Sequence, residues 1–262
     1  MVSDIDAVCH RAEHLADVGR YAEAEPIVRA ALGQAPDNPE LLTMLGFLLR
    51  MQDRHLDALA AYDAAVATAP DHGDAHTQRA WTLIDIHRSS DAITAATEAV
   101  RLDPHRADRH LVLAHALSQD DRVDQARDTA HEALRLAPRS VSALLTLAEI
   151  EQCAGNPDAA DKATRQALAI EPTSTRGRRM LAMLDADRGV VRRSIRALAE
   201  IARDQPADPD LFALVWPIRR IVVAPRWCLP GAATAVAASG LVAASLDQPA
   251  TAVWSPFAVP PR

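Results

Sequence analysis

The sequence predicts an all-α fold: an α-solenoid of six helical hairpins, followed by a capping helix and a C-terminal apolar tail. Three observations predict it. Six prolines, Pro36, Pro70, Pro104, Pro138, Pro172 and Pro206, stand 34 residues apart, and a fixed period of this size marks stacked repeats. Small residues recur in the same register. Aromatic residues make up only 3% of the 262-residue chain, and glycine occurs nine times. Alanine, leucine and valine therefore supply the apolar surface, which suits closely packed helices better than a β-sandwich.

Placing each proline at position 32 of a 34-residue unit starts the units at residues 5, 39, 73, 107, 141 and 175. Position 8 then holds Ala12, Gly46, Ala80, Ala114, Ala148 and Ala182. Position 20 holds Ala24, Ala58, Ala92, Ala126, Ala160 and Ser194, and position 27 holds Ala31, Ala65, Ala99, Ala133, Ala167 and Ile201. Two antiparallel helices approach closely only where small residues face each other, and these positions supply the faces. Larger residues such as Leu45, Leu49, Leu113, Leu117, Leu147 and Leu181 fill the gaps. Proline cannot continue a helix, so position 32 ends the second helix of each hairpin. The turn within the hairpin falls at position 15, occupied by Gly19, Gly155 and Gly189 or by polar His87 and Asp121.

This pattern resembles the tetratricopeptide repeat family over residues 5–208. It is clearest in Leu42, Leu45, Gly46, Leu49, Ala58, Tyr62, Ala65 and Pro70, and in the run Gly19 to Ala24. The family's usual tryptophan at position 4 is replaced by Val8, Leu42, His76, His110, Leu144 and Arg178. The sixth unit departs most, with Ser194 and Ile201 at small-residue positions. The resemblance implies a superhelix whose concave wall, built from the first helices, binds a peptide or protein partner. Positions 2, 5, 9 and 12 would line that groove. The candidate partner-binding residues are Thr43, Phe47, Arg50, Thr77, Trp81, Ile84, Leu111 and His115. Large aromatics on a concave surface are typical anchors. The alternative is that they fold over and fill gaps between repeats. Acids at position 2 (Asp6, Glu40, Asp74, Asp108) are expected in the first turn of any helix, where the dipole favours them. The family's carboxylate clamp is not expected, since Cys9, Glu13, Asp74 and Gln78 stand at positions that need basic or amide side chains.

No catalytic motif is found, no cofactor is expected, and the chain reads as a non-enzyme. Lys162, the only lysine, follows Asp161, which excludes a phosphate-binding loop ending in Gly-Lys. The three cysteines, Cys9, Cys153 and Cys228, lie far apart, so neither a disulfide framework nor a structural zinc site is expected. His72, Asp74 and His76 are the nearest approach to a metal motif, but they straddle a repeat boundary, and solvated helix-end histidines are the simpler reading. A metal-dependent regulator or enzyme is therefore the weakest of three alternatives.

Charge is segregated. Residues 176–226 hold eleven arginines and six acids, and residues 227–262 hold only Asp247 and Arg262. Of the chain's net −7, residues 1–175 therefore carry −12. An acidic array does not read as a nucleic-acid binder. Residues 209–226 are expected to form a capping, juxtamembrane helix. Trp227 to Leu246 is twenty residues without a charge, and as a helix it would span about 30 Å, the thickness of a bilayer core. Arg219, Arg220 and Arg226 precede it and would hold the repeats in the cytoplasm, with the segment as a transmembrane anchor. Residues 247–262 form a short apolar tail containing proline. The leading expectation is a cytoplasmic protein-binding scaffold tethered by its C-terminus. The second is a soluble, self-associating array whose tail caps the superhelix or docks on a neighbour.

Overall fold

The computed structural model describes residues 2–204, and these residues form twelve α-helices with no strand among them. They pair into six hairpins: α1 (Val2–Asp17) with α2 (Tyr21–Leu32), α3 (Pro39–Arg50) with α4 (His55–Thr68), and α5 (Gly73–Asp85) with α6 (Ser89–Leu102). The series continues with α7 (Ala107–Gln119) and α8 (Val123–Leu136), α9 (Val141–Cys153) and α10 (Pro157–Ile170), and α11 (Thr175–Asp187) and α12 (Val191–Asp204). From α3 onward, successive first helices begin 34 residues apart, the period of the prolines. The expected capping helix, the candidate membrane segment Trp227–Leu246, the tail and Pro206 lie outside the described residues. No helix among the described residues is long and apolar enough to cross a membrane.

Within each hairpin one turn geometry recurs six times. The residue at position 15 has a positive φ in every unit: 75° at Gly19, 59° at Asp53, 58° at His87, 60° at Asp121, 74° at Gly155 and 76° at Gly189. The next N–H bonds back to the carbonyl five residues earlier. Arg20 N bonds to Leu15 O at 2.8 Å, Arg88 N to Leu83 O at 2.8 Å, and Val190 N to Asp185 O at 2.7 Å. This left-handed stop satisfies the carbonyls that the first helix leaves open. Glycine adopts it without strain, whereas the Cβ of His87 does not. The residue after it is arginine in the first four hairpins. Arg20, Arg54 and Arg88 each bond the acid three residues on, Glu23, Asp57 and Asp91.

Between hairpins the prolines occupy the links. The amide before each of the five described link prolines closes the preceding helix, as where Ala69 N bonds to Ala65 O at 2.9 Å and Ala137 N to Ala133 O at 2.9 Å. The proline itself then offers no N–H to extend the ladder. The histidines that replace the family's tryptophan have a structural use here. His76 Nε2 bonds to the Pro70 carbonyl at 2.9 Å and His110 Nε2 to the Pro104 carbonyl at 2.8 Å. Both histidines are buried, so each ties the start of one hairpin to the turn that ends the one before. Asn38, Ser140 and Ser174 cap α3, α9 and α11 by accepting backbone N–H bonds.

The seam inside each hairpin is built of small residues. Ala12, Ala24, Ala58, Ala80, Ala92, Ala114, Ala126 and Ala160 are all fully buried. In the divergent sixth hairpin Ser194 takes the small position, and its hydroxyl donates to the Ala182 carbonyl at 2.7 Å. The seam has one exchange of volume. At position 24 the second hairpin carries Tyr62, fully buried, where other hairpins carry smaller side chains. Opposite it stands Gly46, and a Cβ there would lie 2.5 Å from the Tyr62 ring. Gly46→Ala is therefore expected to cost about 1–3 kcal/mol. Tyr62→Ala combined with it restores the alanine pair of the third and fourth hairpins. The two changes should couple by about 1 kcal/mol or more in a double-mutant cycle read by urea unfolding. At the strained turn, His87→Gly should raise stability by roughly 0.5–1 kcal/mol in the same assay.

Candidate functional site

The first helices touch one another in series, α1 with α3, α3 with α5, α5 with α7, α7 with α9 and α9 with α11. Successive second helices make no comparable approach. The first helices therefore form the inner, concave wall. Their register is offset by one residue from the repeat, and cross-hairpin bonds span 35 residues. Arg50 Nε donates to Asp85 Oδ2 at 2.7 Å, Arg109 to Asp74 Oδ1 at 3.3 Å, Gln119 to the Ile84 carbonyl at 3.3 Å, and Gln152 to Asp187 Oδ2 at 3.0 Å. Glu40, Asp74 and Asp108, at position 2, lie in first turns as the helix dipole favours, and Asp74 also serves as the partner of Arg109.

Position 9 places one side chain per hairpin along this wall. Phe47 is half-buried and meets the Tyr21 ring edge-on, with centroids 6.5 Å apart. Trp81 is half-buried and lies against the His115 ring at 4.9 Å. Leu111 and Thr43 are half-buried, and the Thr43 hydroxyl donates to the Pro39 carbonyl at 2.7 Å. Arg50 reaches the wall but is held by Asp85. Two of the expected lining residues turn inward instead. Thr77 is 5% and Ile84 7% exposed. The Thr77 hydroxyl is spent on the Gly73 carbonyl at 2.8 Å, and Ile84 packs with Leu59, Leu83 and Val112 in the core. The gap-filling alternative describes these two, whereas the aromatics lean on neighbours while keeping part of their surface open.

The wall also carries a polar cluster of four residues, of which all but Thr146 stand at the lining positions read from sequence. Thr146 Oγ1 lies 2.8 Å from His115 Nε2. Arg176 reaches Thr146 Oγ1 at 3.3 Å and His115 Nε2 at 3.4 Å, and it grips Glu149 with bonds of 2.9 and 2.7 Å. A guanidinium only donates, so His115 Nε2 accepts, and the ring is neutral with its proton on Nδ1. Thr146 sits at position 6, which the four lining positions omit. The signal that could have found it is the one-residue offset between neighbouring helices, which is not visible in any single repeat.

Around the histidines nearest to a metal motif, His72 stands before the first turn of α5 and His76 is committed to Pro70. Among the described residues no three of His, Cys, Asp and Glu converge on a common point.

Burial, more than the nearby charges, pushes the His115 imidazole down to about 4. Glu149 opposes the shift and Arg176 adds to it. Above pH 6.5 the ring is neutral in both folded and unfolded chains, so it contributes nothing to the pH dependence. As pH falls from 6.5 to 4 the unfolded chain takes up the proton and the folded chain does not, so stability falls. With 1.36 kcal/mol per unit, the loss is about 3 kcal/mol by pH 4. His115→Gln should flatten the unfolding free energy between pH 6.5 and 5, measured by chemical denaturation at each pH.

Comparison with known proteins agrees with this geometry. Two tetratricopeptide repeat sequence profiles match, one over residues 15–82 and one over residues 77–140. No curated protein matches the sequence. Among solved structures, a thermophilic tetratricopeptide repeat protein of Thermus thermophilus superposes with a TM-score of 0.64 at 22% identity. The match covers 69% of this chain and 99% of that one. A tetratricopeptide repeat protein of Parabacteroides merdae gives 0.64 at 20% identity, covering 82% and 85%. The Cut9–Hcn1 hetero-tetramer of the APC/C gives 0.70 at 13% identity, covering 80% of this chain and 42% of that one. At these identities the structures speak for the fold, and the sequence profiles speak for the repeat itself. Period, turns, seam and profiles agree: residues 15–140 match the tetratricopeptide repeat family, and the twelve described helices share the fold of its solved members.

Proposed function

We propose that this protein is a non-enzymatic scaffold that holds an extended peptide or a partner helix along its concave wall, with Phe47, Trp81 and Leu111 as the apolar contacts. Tetratricopeptide repeat arrays are in general protein-interaction scaffolds. The observation that carries the finer reading is the row of half-buried apolar side chains on successive first helices. Large apolar groups left partly open on a concave surface are what a partner's side chains cover. Thr43, Arg50 and His115 flank the row and supply polar contacts at its edges. Thr77 and Ile84 shape the wall from beneath. The proposal extends to the C-terminus, where Trp227–Leu246 tethers the repeats to a membrane with the array on the cytoplasmic side. The charge-free length and the arginines before it support that reading.

Quantitative pull-down with the full chain tests the groove. Phe47→Ala with Trp81→Ala should reduce recovery of wild-type partners at least about tenfold, since anchors of this kind cost more than about 1 kcal/mol each. Helical content by circular dichroism should stay the same, and unchanged recovery would overturn the groove assignment. Removing residues 227–262 should shift the protein from the membrane pellet to the supernatant while leaving partner recovery intact. A full-length chain that stays in the supernatant would overturn the tether.

A further inference from the structure

One position links every hairpin to the one that follows it. At position 21, Glu25 accepts from Gln52 and Arg54 of the second hairpin, both at 2.9 Å. Leu59 packs in one cluster with Ala92 and Ala95 of the third hairpin, against which Ile86 also packs. Ile93 packs against the cluster that contains Ala126 and Ala130 of the fourth. Arg127 donates to Glu151 of the fifth at 2.7 Å, and Asp161 pairs with Arg188 of the sixth at 3.3 Å. The sixth hairpin carries Ile195 at this position. It is 46% exposed, with no following hairpin among the described residues.

In three of the five contacts the receiving residue stands at position 14: Gln52 bonds Glu25, Ile86 packs against the cluster that holds Leu59, and Arg188 pairs with Asp161, whereas Ile93 and Arg127 meet Ala126, Ala130 and Glu151 at other positions. In the first hairpin position 14 is Val18, which is 59% exposed. The chemistry at this contact is matched pair by pair: amide with carboxylate, leucine with isoleucine, carboxylate with guanidinium. The two halves that meet no neighbouring hairpin among the described residues, Ile195 and Val18, are both apolar. Away from its turn, the first hairpin also holds an apolar cavity of about 540 Å³ lined by Ile5, Val8, Ile27, Ala30, Ala31 and Ala35, among others. Val8 and Ile27 stand at positions 4 and 23. In inner hairpins these positions face the hairpin before, as His76 does when it bonds Pro70 and Ala95 does in its cluster with Leu59. The cavity therefore lies on the face that an inner hairpin turns toward the one before it.

Charge is complementary across the two ends. Residues 1–38 hold seven carboxylates against three arginines, and residues 175–204 hold eight arginines against four carboxylates. We infer that the sixth hairpin of one copy stacks on the first hairpin of a second copy, with Ile195 against Val18, so that the solenoid continues head to tail through molecules of this chain. Such a heterologous contact does not close on itself as a two-fold dimer does, and it builds longer assemblies. The opposite end charges steer the encounter and make it sensitive to salt. The inference uses the ends of the array and not its groove, so it stands or falls separately from the proposed function.

Analytical ultracentrifugation of the full chain in a mild non-ionic detergent tests it. Wild type should grow past the dimer between about 1 and about 100 µM, the range of weak interfaces. Val18→Glu and Ile195→Glu, both at exposed positions, should each be monomeric with unchanged helical content. Mixed one to one, they should give a dimer and nothing larger, because each retains the half the other lacks. Val18→Arg with Ile195→Asp in one chain reproduces the Asp161–Arg188 pairing and should restore growth. Arg192→Glu with Arg196→Glu, on the exposed surface of α12, should weaken assembly about tenfold through lost steering. A wild type that stays monomeric at the highest concentration, as it would if residues 209–226 of the same chain covered the sixth hairpin, overturns the inference. So does a dimer that survives both single substitutions, or a mixture of the two variants that stays monomeric.

Discussion

At positions 8, 20 and 27 of the first five hairpins the facing helices carry side chains no larger than a methyl group. Ala80, Ala92 and Ala99 are fully buried against one another's helices, and the same triplet recurs as Ala114, Ala126 and Ala133. Each alanine removes little apolar area from water, so no single contact is strong. What the small seam provides is distance: it lets two helices lie close enough for the leucines beside them to interlock. Everything else in the array follows from that spacing, including the turn that fits between the helices and the groove each hairpin presents to the next. The second hairpin shows how rigid the constraint is, because Tyr62 is accommodated only by removing the opposing methyl at Gly46.

Between hairpins the constraint relaxes into a choice of chemistries. A solenoid unit buries its faces only against its neighbours, so stability is a sum of unit and interface terms. Here the interfaces are of two kinds. Leu59 and Ile93 join their followers through packing, whereas Glu25, Arg127 and Asp161 do so through charged hydrogen bonds. Glu25 and Glu151 are held below the usual carboxylate range by the side chains that bond them, against the opposing effect of burial. The chemistry of each interface is set by the side chains at a few positions, while the short links between hairpins fix the order of the stack. The same reasoning gives the ends of the array their character, since an end is an interface half with its chemistry already chosen.

The concave wall combines two kinds of surface. Phe47, Trp81 and Leu111 form an apolar run, and just beyond it His115, Thr146, Glu149 and Arg176 form a closed polar network drawn from three hairpins. The network needs His115 neutral, because its Nε2 must accept. Its burial beside Trp81 and the nearby guanidinium both favour that state. A partner lying along the wall would therefore meet a satisfied polar floor at one end and open apolar surface at the other.

By itself the sequence determined what repeats. A 34-residue period, a small-residue register and a proline at each boundary are local requirements, written in every unit. The helices, turns and stack followed from them, as did the identity of the wall. Local rules also foretold the turn at position 15, although Asp53 there shows the left-handed stop without glycine. Only the tertiary structure decided which wall residues remain open. Thr77 and Trp81 occupy lining positions of one helix, yet one hydroxyl is spent on its own backbone and the other side chain lies over a neighbour's ring. It also decided the uses of the position-4 histidines, the cluster around Arg176 and the exposure of Val18 and Ile195. Each of these depends on which side chain of one hairpin stands opposite which side chain of the next. That pairing is set by the offset between stacked helices, which no single repeat encodes.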